Sequence, residues 1–337
     1  MVSANTNEPV GLALIGAGGF GRGMADRINA SDKLRLITCY DVNAKSCEDL
    51  AEAMGCRAAS RIEDVLNDEA VEGVVITSPN FAHRENAEAA AAAGKHVFVD
   101  KPIANDIEDG YAMIDACRRA GLVLSVGHNF RRQGGCRKLK ELVEQGVAGT
   151  VVMTEGNFSH AGGMGLTPKL WRWYPDKAPA LPLIQLGVHC ADTMQHVLGP
   201  IAEVTSFMGH RAIPAENVDV TATALRFESG VVGYLGSNYA TPAVYYVNVY
   251  GTEASLYCSW GASVRITYAR NKGEEVVDGP QVDDRIEELE EFGDCIRTGA
   301  RPEVTGEMGL LNLAVVRAAL KSSEEGRPVK LAELLAR

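Results

Sequence analysis

The chain has 337 residues, of which 46% are hydrophobic and 23% charged, and its formal net charge is −11 at pH 7. This charge argues against nucleic acid as a partner, because binding to a phosphate backbone needs a basic surface. No unbroken run of about 18 apolar residues is present to span a membrane, and the first ten residues lack the basic and apolar regions of a secretion signal.

The eight cysteines are scattered and form no CxxC pair. This usage is typical of a reduced, cytoplasmic protein. Because thiolates at ligand spacing are absent, we expect no metal site.

The first 130 residues alternate short apolar runs with longer helical patterns. The apolar runs lack period-2 alternation, so both faces of each strand are expected to be buried. This predicts a doubly wound parallel α/β sheet of the Rossmann type. In chain order, the predicted strands are VGLALIG, LRLITCYD, VEGVVITS, KHVFVD and LVLSVGH, and the predicted helices lie at about 20–30, 44–54, within 80–94 and at 107–120.

After about residue 145 the chain is rich in β-strand patterns joined by Gly, Asn and Pro. Over residues 201–270 no long helix intervenes, which predicts one open, largely antiparallel sheet. Further helices are predicted at about 183–198, 283–298 and 305–323. We therefore predict an NAD-binding Rossmann domain over residues 1–130. An α+β domain for substrate binding and oligomerisation follows over 131–337, and its last helix can pack back on the first domain.

The open antiparallel sheet predicted for the second domain has two faces, and helices are expected to cover only one of them. Its strands are dense in aromatic and apolar residues, as in VGYLGSNYATPAVYYVNVY. A second copy of the chain is one cover for the other face, giving a homodimer or homotetramer. The alternative is that solvent covers it.

The first predicted strand ends in a glycine-rich turn, GAGGFG. Gly16 permits the turn, Gly18 lets a pyrophosphate approach the backbone, and Gly21 permits close helix packing. Gly19 and Phe20 lie between them and are counted with the cofactor-binding residues. A lone GxGxxG is a weak signal, but its position between a strand and a helix favours a nucleotide site.

Asp41 ends the second predicted strand, twenty residues after Gly21. A carboxylate there accepts hydrogen bonds from ribose hydroxyls and repels a 2′-phosphate, which favours NAD over NADP. The alternative is that Asp41 only caps the following helix. With the strand order, the pattern predicts an NAD site.

Two later strand ends carry polar residues at the edge where ligands bind in such sheets. One is the segment ITSPNFAH, in which Asn80 is also suited to cap a helix. The next strand ends in the triplet DKP. The predicted cofactor contacts at these two ends are Thr77, Ser78, Asn80, His83, Asp100 and Lys101.

These motifs are followed by GHNFRR at 127–132, LWRW at 170–173 and QLGVHCAD at 185–192. In this order they resemble the Gfo/Idh/MocA family of oxidoreductases over nearly the whole chain. The resemblance implies a Rossmann domain, an antiparallel α+β domain and NAD(P) as cofactor. It also implies oxidation or reduction of sugars, cyclitols or related polyols.

The resemblance assigns the catalytic residues. The DKP triplet matches the family's Glu-Lys-Pro signature, so Lys101 takes the place of the catalytic lysine. His189 matches the catalytic histidine of the family's D-x-G-x-H helix motif. The first position of that motif is Gln185 here, which cannot take a proton but can hydrogen-bond to a hydroxyl or carbonyl oxygen.

On one helix, Gln185 and His189 are four residues apart and share a face. Asp192 and His196 are expected nearby on that side. We interpret these two residues as helix packing and surface solvation and assign them no chemistry.

Substrate contacts are expected from the segments around these motifs. Trp171 and Arg172 match the family's Trp-Arg step, which lies near cofactor or substrate. His160, Lys169 and Arg172 would suit a carboxylate-bearing substrate such as a sugar acid. Asn129, in GHNFRR, is predicted to contact both substrate and cofactor.

We therefore expect an NAD-dependent dehydrogenase acting on CH–OH groups (EC 1.1.1.-), with Lys101 and His189 handling the proton. Two alternatives stay open. One is an isomerase, epimerase or lyase that retains NAD and uses transient oxidation. The other is a dinucleotide-binding sensor without turnover, which the missing aspartate at position 185 favours and the retained Lys101 and His189 oppose.

Overall fold

The computed structural model describes residues 8–337, so the prediction about the first ten residues falls mostly outside this range. The strands are β1 (Val10–Ile15), β2 (Leu34–Tyr40), β3 (Arg57–Ala58), β4 (Gly73–Ile76), β5 (His96–Asp100), β6 (Leu124–Gly127), β7 (Val151–Ser159), β8 (Ile201–Gly209), β9 (Val220–Phe227), β10 (Val232–Asn238), β11 (Val244–Gly251), β12 (Ala254–Ser259), β13 (Ser263–Tyr268), β14 (Glu274–Asp278) and β15 (Val329–Lys330).

Each predicted helical segment is helical in the structure, and the chain also forms helices that the sequence pattern did not predict. The helices are α1 (Gly19–Ala30), α2 (Ala44–Met54), α3 (Ile62–Leu66), α4 (His83–Ala92), α5 (Ile107–Ala120), α6 (Gly134–Glu144), α7 (Val188–Leu198), α8 (Asp284–Thr298), α9 (Gly306–Glu325) and α10 (Ala332–Leu335). Short 3₁₀ turns also precede α4 and α6, at Asn80–Ala82 and Asn129–Arg132.

Two compact units divide the chain. The first holds the residues up to Gly127 together with Asp283–Leu310, and the second holds His128–Val282 with Leu311–Arg337. The predicted domains 1–130 and 131–337 stay a proposal, because compactness alone does not show which segments fold independently.

The first unit is built on a six-stranded parallel sheet in the order β3-β2-β1-β4-β5-β6. All residues of β1 and β4 are buried, as expected for strands covered by helices on both faces. The strand order reverses between β1 and β4, and ligands bind at such a switch point, outside the carboxyl ends of the strands. The predicted Rossmann sheet is therefore confirmed.

The core of the first unit explains why α8 belongs to it, although α8 follows the second sheet in sequence. Phe292 on α8 is fully buried, and its ring centroid lies 5.8 Å from that of Phe98 on β5. Both residues join one hydrophobic cluster with Leu12, Leu14 and Met24. Burial of each such side chain contributes roughly 1.5–3 kcal/mol, so α8 is held by packing.

The second unit is built on a nine-stranded sheet in the order β14-β13-β12-β11-β7-β10-β9-β8-β15. The predicted largely antiparallel sheet is confirmed, with one exception: β7 and β10 pair in parallel. Parallel neighbours need a long crossover connection, and the chain between them supplies one that contains α7, β8 and β9. The sequence pattern predicts strands but not which strand lies beside which.

The predicted helix over 183–198 is helical throughout, but its first turn is not α-helical. Leu183–Gly187 forms a π-helical turn, and α-helical residues lie on both sides of it, at 181–182 and in α7 from Val188 onwards. A π turn closes with i→i+5 hydrogen bonds and is frequent at functional sites. Because a π turn is wider than an α turn, a spacing of four residues does not by itself place Gln185 and His189 on one face.

No helix within residues 8–337 is long and apolar enough to cross a membrane. In the same part of the chain, His, Cys, Asp and Glu side chains form no group of three or more that could hold a metal. All eight cysteines are free thiols. The expected cytoplasmic location stays a prediction.

Candidate active site

The glycine turn between β1 and α1 is packed tightly against the end of β4. Gly16 has φ +110°, and a Cβ atom there would lie 2.6 Å from the Ser78 amide nitrogen. A Cβ atom on Gly21 would lie 2.0 Å from the Gly16 carbonyl oxygen, which also accepts a 2.8 Å hydrogen bond from Thr77 Oγ1. These contacts bring the predicted residues Gly16, Gly21, Thr77 and Ser78 together and require glycine at both positions.

Gly18 and Gly19 face open space instead. A Cβ atom on either would meet no atom within 4 Å. Gly18 is the N-cap of α1, no side chain caps that end, and no acidic residue lies in its first turn. A helix N-terminus of this kind attracts an anion through its unpaired N–H groups and dipole, so the turn fits the pyrophosphate of NAD. Phe20 is partly exposed, and its ring lies 5.2 Å from the Arg285 guanidinium.

The two kinds of glycine give a first prediction. Gly18→Ala is expected to raise the NADH dissociation constant at least about tenfold, since a methyl group displaces a charge-assisted contact, while thermal stability stays near that of wild type. Gly21→Ala is expected to destabilise the protein by about 1–3 kcal/mol through overpacking. Fluorescence titration with NADH and thermal unfolding measure the two effects. Unchanged NADH affinity in Gly18→Ala would show that no phosphate approaches this turn.

Asp41 holds the turn from the neighbouring strand. Its Oδ2 atom accepts a 2.7 Å hydrogen bond from the Ala17 amide, and its Oδ1 atom accepts a 2.8 Å bond from the Asn43 amide. The cap of α2 is the Asn43 side chain, which accepts from the Ser46 amide. Asp41 is therefore not the helix cap, and its carboxylate has further lone pairs for ribose hydroxyls.

His83 joins two of the loops that carry predicted site residues. It is buried, with Nε2 2.9 Å from the Ser78 carbonyl oxygen and Nδ1 3.0 Å from the Pro102 carbonyl oxygen. Burial lowers the pKa of His83, and the nearby Asp100 charge acts in the opposite direction. His83 thus fixes the loop after β4 to the loop that contains Lys101, whose peptide bond to Pro102 is cis.

Asn80 does not cap α4 as predicted. It is the first residue of the 3₁₀ turn, whose N-cap is Pro79, and the N-cap of α4 is Ala82. Its Nδ2 atom is buried and has no hydrogen-bond partner in the described part of the chain. A buried donor without a partner is rare and costly, so Asn80 is suited to donate to a bound cofactor.

In the second unit, His189 lies at the start of α7 within a cluster of aromatic rings. It is buried, and its ring centroid lies 4.2 Å from that of Phe130 and 5.7 Å from that of Phe158. The predicted residue Asn129 immediately precedes Phe130, and His160 lies 6.2 Å from the Phe158 ring. His160 and His189 therefore both lie near the Phe158 ring.

Sequence reasoning missed this aromatic cluster. Trp260 is also part of it, with its ring 5.4 Å from Phe158, and about half of its surface is exposed. Phe158 was visible only as the last apolar residue of a strand, and Trp260 lies in a short polar turn. Neither position carried a local signal. A half-exposed aromatic ring in the same cluster as a buried histidine is suited to pack against a sugar face.

Arg172, Trp171 and Gln185 form a second group. Arg172 Nε donates a 3.1 Å hydrogen bond to Gln185 Oε1, and its guanidinium lies 4.3 Å from the Trp171 ring centroid. Gln185 is buried in the π turn. His160 accepts a 2.9 Å bond from the Gly162 amide and stacks 4.8 Å from the Tyr239 ring.

The interpretation of Asp192 as helix packing and surface solvation is right about packing and wrong about solvation. Asp192 is fully buried, and its carboxylate accepts hydrogen bonds from Arg131 Nε at 2.8 Å and from Asn312 Nδ2 at 2.6 Å. Burial alone would raise the pKa of Asp192, but the charge of Arg131 and these hydrogen bonds hold it below its usual range. His196 is half-buried, with Nδ1 3.5 Å from Arg131.

Comparison with known families gives two matches. The model of an oxidoreductase family with an NAD-binding Rossmann fold, GFO_IDH_MocA, matches residues 10–128. The model of the GFO/IDH/MocA C-terminal domain matches residues 136–257. Together the two matches cover more than half of the chain.

Individual relatives span nearly the whole sequence. The myo-inositol 2-dehydrogenase of Thermotoga maritima is 26% identical, over 96% of this chain and 99% of its own. The 1,5-anhydro-D-fructose reductase of Ensifer adhaerens is 29% identical, over 82% and 84%. A solved structure from Desulfitobacterium hafniense, described as a candidate NADPH-dependent oxidoreductase, is 37% identical with a TM-score of 0.92, over 97% and 99%.

Proposed function

Since this chain belongs to the GFO/IDH/MocA oxidoreductase family, we propose that it transfers a hydride between NAD and a hydroxyl-bearing carbon of a sugar, cyclitol or sugar acid. The observation that carries this proposal is the retention of Lys101 directly after β5, and of His189 at the start of α7, in a chain whose glycine turn fits NAD. Relatives named as inositol dehydrogenases and sugar reductases support this substrate class.

The chain's own residues are proposed to bind the cofactor and move the proton. Bound NAD⁺ supplies the hydride acceptor. The N-terminus of α1 holds the pyrophosphate, Asp41 accepts from the ribose, and Asn80 donates to the cofactor. Lys101 accepts the hydroxyl proton as general base or stabilises the oxyanion.

His189 is proposed to act as a second base or as the hydrogen-bonding group that orients the substrate hydroxyl. Phe130 and Phe158 restrict the ring's movement by packing on it. Gln185 is neutral and positions substrate without taking a proton. The proton step is thus carried by Lys101 and His189, without the carboxylate of the family motif.

The test of this proposal is NADH formation, followed by absorbance, with NAD⁺ and a panel of sugars, inositols and sugar acids. Mass analysis of each mixture runs beside it. NADH formation with one substrate class supports the dehydrogenase. A changed substrate without NADH supports an isomerase, epimerase or lyase that retains its cofactor. NADH binding with neither signal supports a sensor.

Cofactor choice gives a second prediction. We expect wild type to prefer NAD over NADP, because Asp41 repels a 2′-phosphate, and like charges in contact cost several kcal/mol. Asp41→Asn keeps the size of the side chain and loses its charge, so the ratio of kcat/KM for NAD to that for NADP is expected to fall at least about tenfold.

The matched control is Asp32→Asn, which removes an exposed carboxylate just before β2, at the opposite end of the strand from Asp41. Its cofactor ratio is expected to equal that of wild type. Similar turnover of wild type with both cofactors would contradict the role of Asp41. It would also agree with the NADPH dependence assigned to the 37% identical structure.

We also propose that the chain self-associates through the second sheet, as a homodimer or homotetramer. Strands β8, β10 and β14 each carry exposed apolar residues. The exposed ones include Phe207, 79% accessible, Val232 and Val276. A set of exposed apolar side chains on one sheet is suited to a second copy of the chain, and the alternative remains a solvent-exposed face.

A further inference from the structure

Arg172 is held in a fixed position by its neighbours. Its Nε atom donates to Gln185 Oε1, its guanidinium stacks over the Trp171 ring, and its carbonyl oxygen lies 3.5 Å from Asn217 Nδ2. Stacking on an aromatic face leaves the outer edge of a guanidinium open to a ligand. The side chain is therefore preorganised before any substrate binds.

The charge of Arg172 is not neutralised by the protein. Within residues 8–337 its terminal amino groups form no hydrogen bond, and it makes no ion pair with a carboxylate. The family motif has an aspartate where Gln185 lies, and an aspartate accepting from Arg172 would cancel this charge. The glutamine oxygen accepts the same hydrogen bond and leaves the positive charge in place.

The groups that contact the Arg172 side chain directly, the Gln185 amide and the Trp171 indole, are uncharged. Its charge acts on Tyr239, opposing the burial that raises the pKa of that phenol. Tyr239 in turn stacks on His160. Gln185, Trp171 and Tyr239, the side chains shown to interact with that of Arg172, are thus an amide, an indole and a phenol, and none of them is an anion at neutral pH.

We infer that Arg172 is the subsite for the carboxylate of a sugar-acid substrate, and that Gln185 keeps this subsite cationic. The inference rests on the proposed function and names its substrate class. The two terminal amino groups of the guanidinium pair with the two carboxylate oxygens, a bidentate geometry that arginine forms and lysine cannot. Gln185 acts through Arg172 and is a specificity-determining residue.

The test compares acids with neutral sugars that differ only at one carbon. D-Glucuronate and D-glucose form one pair, and D-galacturonate and D-galactose a second. Binding of each to the NADH-loaded protein is measured by isothermal titration calorimetry, and turnover with NAD⁺ is measured in parallel. Wild type is expected to bind the acid of at least one pair about tenfold more tightly than its neutral partner.

The variants separate recognition of charge from a structural role. Arg172→Gln is expected to remove the preference for the acid, and Arg172→Lys to reduce it without abolishing it. Gln185→Asp is expected to lower acid binding about tenfold while affecting neutral sugars much less, because it neutralises Arg172. The control Lys272→Gln removes an exposed charge in the turn between β13 and β14, and the preference is expected to persist.

Two results would overturn the inference: no acid binds more tightly than its neutral partner, or the preference survives in Arg172→Gln. An equal loss of both ligands in Gln185→Asp would mean that position 185 shapes the pocket and does not set its charge. The binding measurement on the NADH-loaded protein requires no turnover, so it tests the carboxylate subsite alone. If the proposed function is wrong, the turnover measurement shows this separately, because no sugar or acid then yields NADH.

Discussion

Replacing Lys101 with methionine is expected to lower kcat/KM by about three orders of magnitude and to leave NADH binding intact. Positioned acid–base groups contribute roughly 10²–10⁴-fold to a rate. Methionine keeps the length of the side chain and loses its proton-accepting nitrogen. Steady-state kinetics with the best substrate of the panel and NADH fluorescence titration measure the two quantities.

The chain offers a matched control at the other end of the same strand. Lys95 immediately precedes β5, and its Nζ atom donates to the carbonyl oxygens of Asp68, at 2.9 Å, and Val71, at 2.8 Å. Lys95→Met is expected to lower thermal stability while leaving kcat/KM close to that of wild type. If Lys101→Met keeps more than about a tenth of wild-type activity, Lys101 is not the general acid–base group.

Replacing Asp192 with asparagine is expected to destabilise the protein by about 3–5 kcal/mol, because it removes the charge of one partner from a buried ion pair with Arg131. Both side chains are almost fully buried. Denaturant unfolding followed by circular dichroism measures the change. Glu144→Gln, which breaks an exposed ion pair with Lys140 on α6, is the control and is expected to change stability very little.

The stability difference between wild type and Asp192→Asn is also expected to depend on pH. The pKa of Asp192 is lowered in the folded protein, so its ionisation stabilises the fold above the unfolded value of about 3.9. That contribution is lost as pH falls through the folded-state pKa. The stability difference between wild type and Asp192→Asn is therefore expected to stay constant near neutral pH and to shrink below about pH 4. A difference that grows with acid would contradict the assignment of Asp192 as an ionised, paired group.

The first unit could be predicted from sequence because its signals are local. Two-sided burial appears as unbroken apolar runs, and the positions of Gly16 and Gly21 follow from the geometry of one turn. Helix ends such as Gly121, which has a left-handed conformation after α5, are also marked within a few residues.

The features of the fold that could not be predicted depend on contacts between residues far apart in sequence. Arg131 and Asp192 are 61 positions apart, so no window of sequence shows that Asp192 is buried. The helix α6 went unpredicted because it begins with Gly134 and Gly135, which disfavour helix. They are required where the chain passes closely over Pro280 and Gly261. Tertiary contacts therefore override the local preference.

The candidate site divides in the same way. Lys101, His189 and the glycine turn were visible as motifs, whereas the packing of Phe158 and Trp260 near His189 depends on strands far apart in sequence. The hydrogen bond between Arg172 and Gln185 was equally hidden, although both residues were singled out. The sequence therefore predicted which residues belong to the site, and only the structure shows which other residues they contact.

The most direct test of the account is transfer of deuterium from substrate carbon to cofactor. The protein is incubated with NAD⁺ and one carbon-deuterated substrate at a time: myo-inositol, D-glucose or D-glucuronate. The mass of the recovered cofactor is then measured by mass spectrometry. The account predicts singly deuterated NADH in the free cofactor pool with at least one of them. If the substrate changes while the pool stays unlabelled, or if no label moves although NADH binds, the chain is not a dehydrogenase of this class.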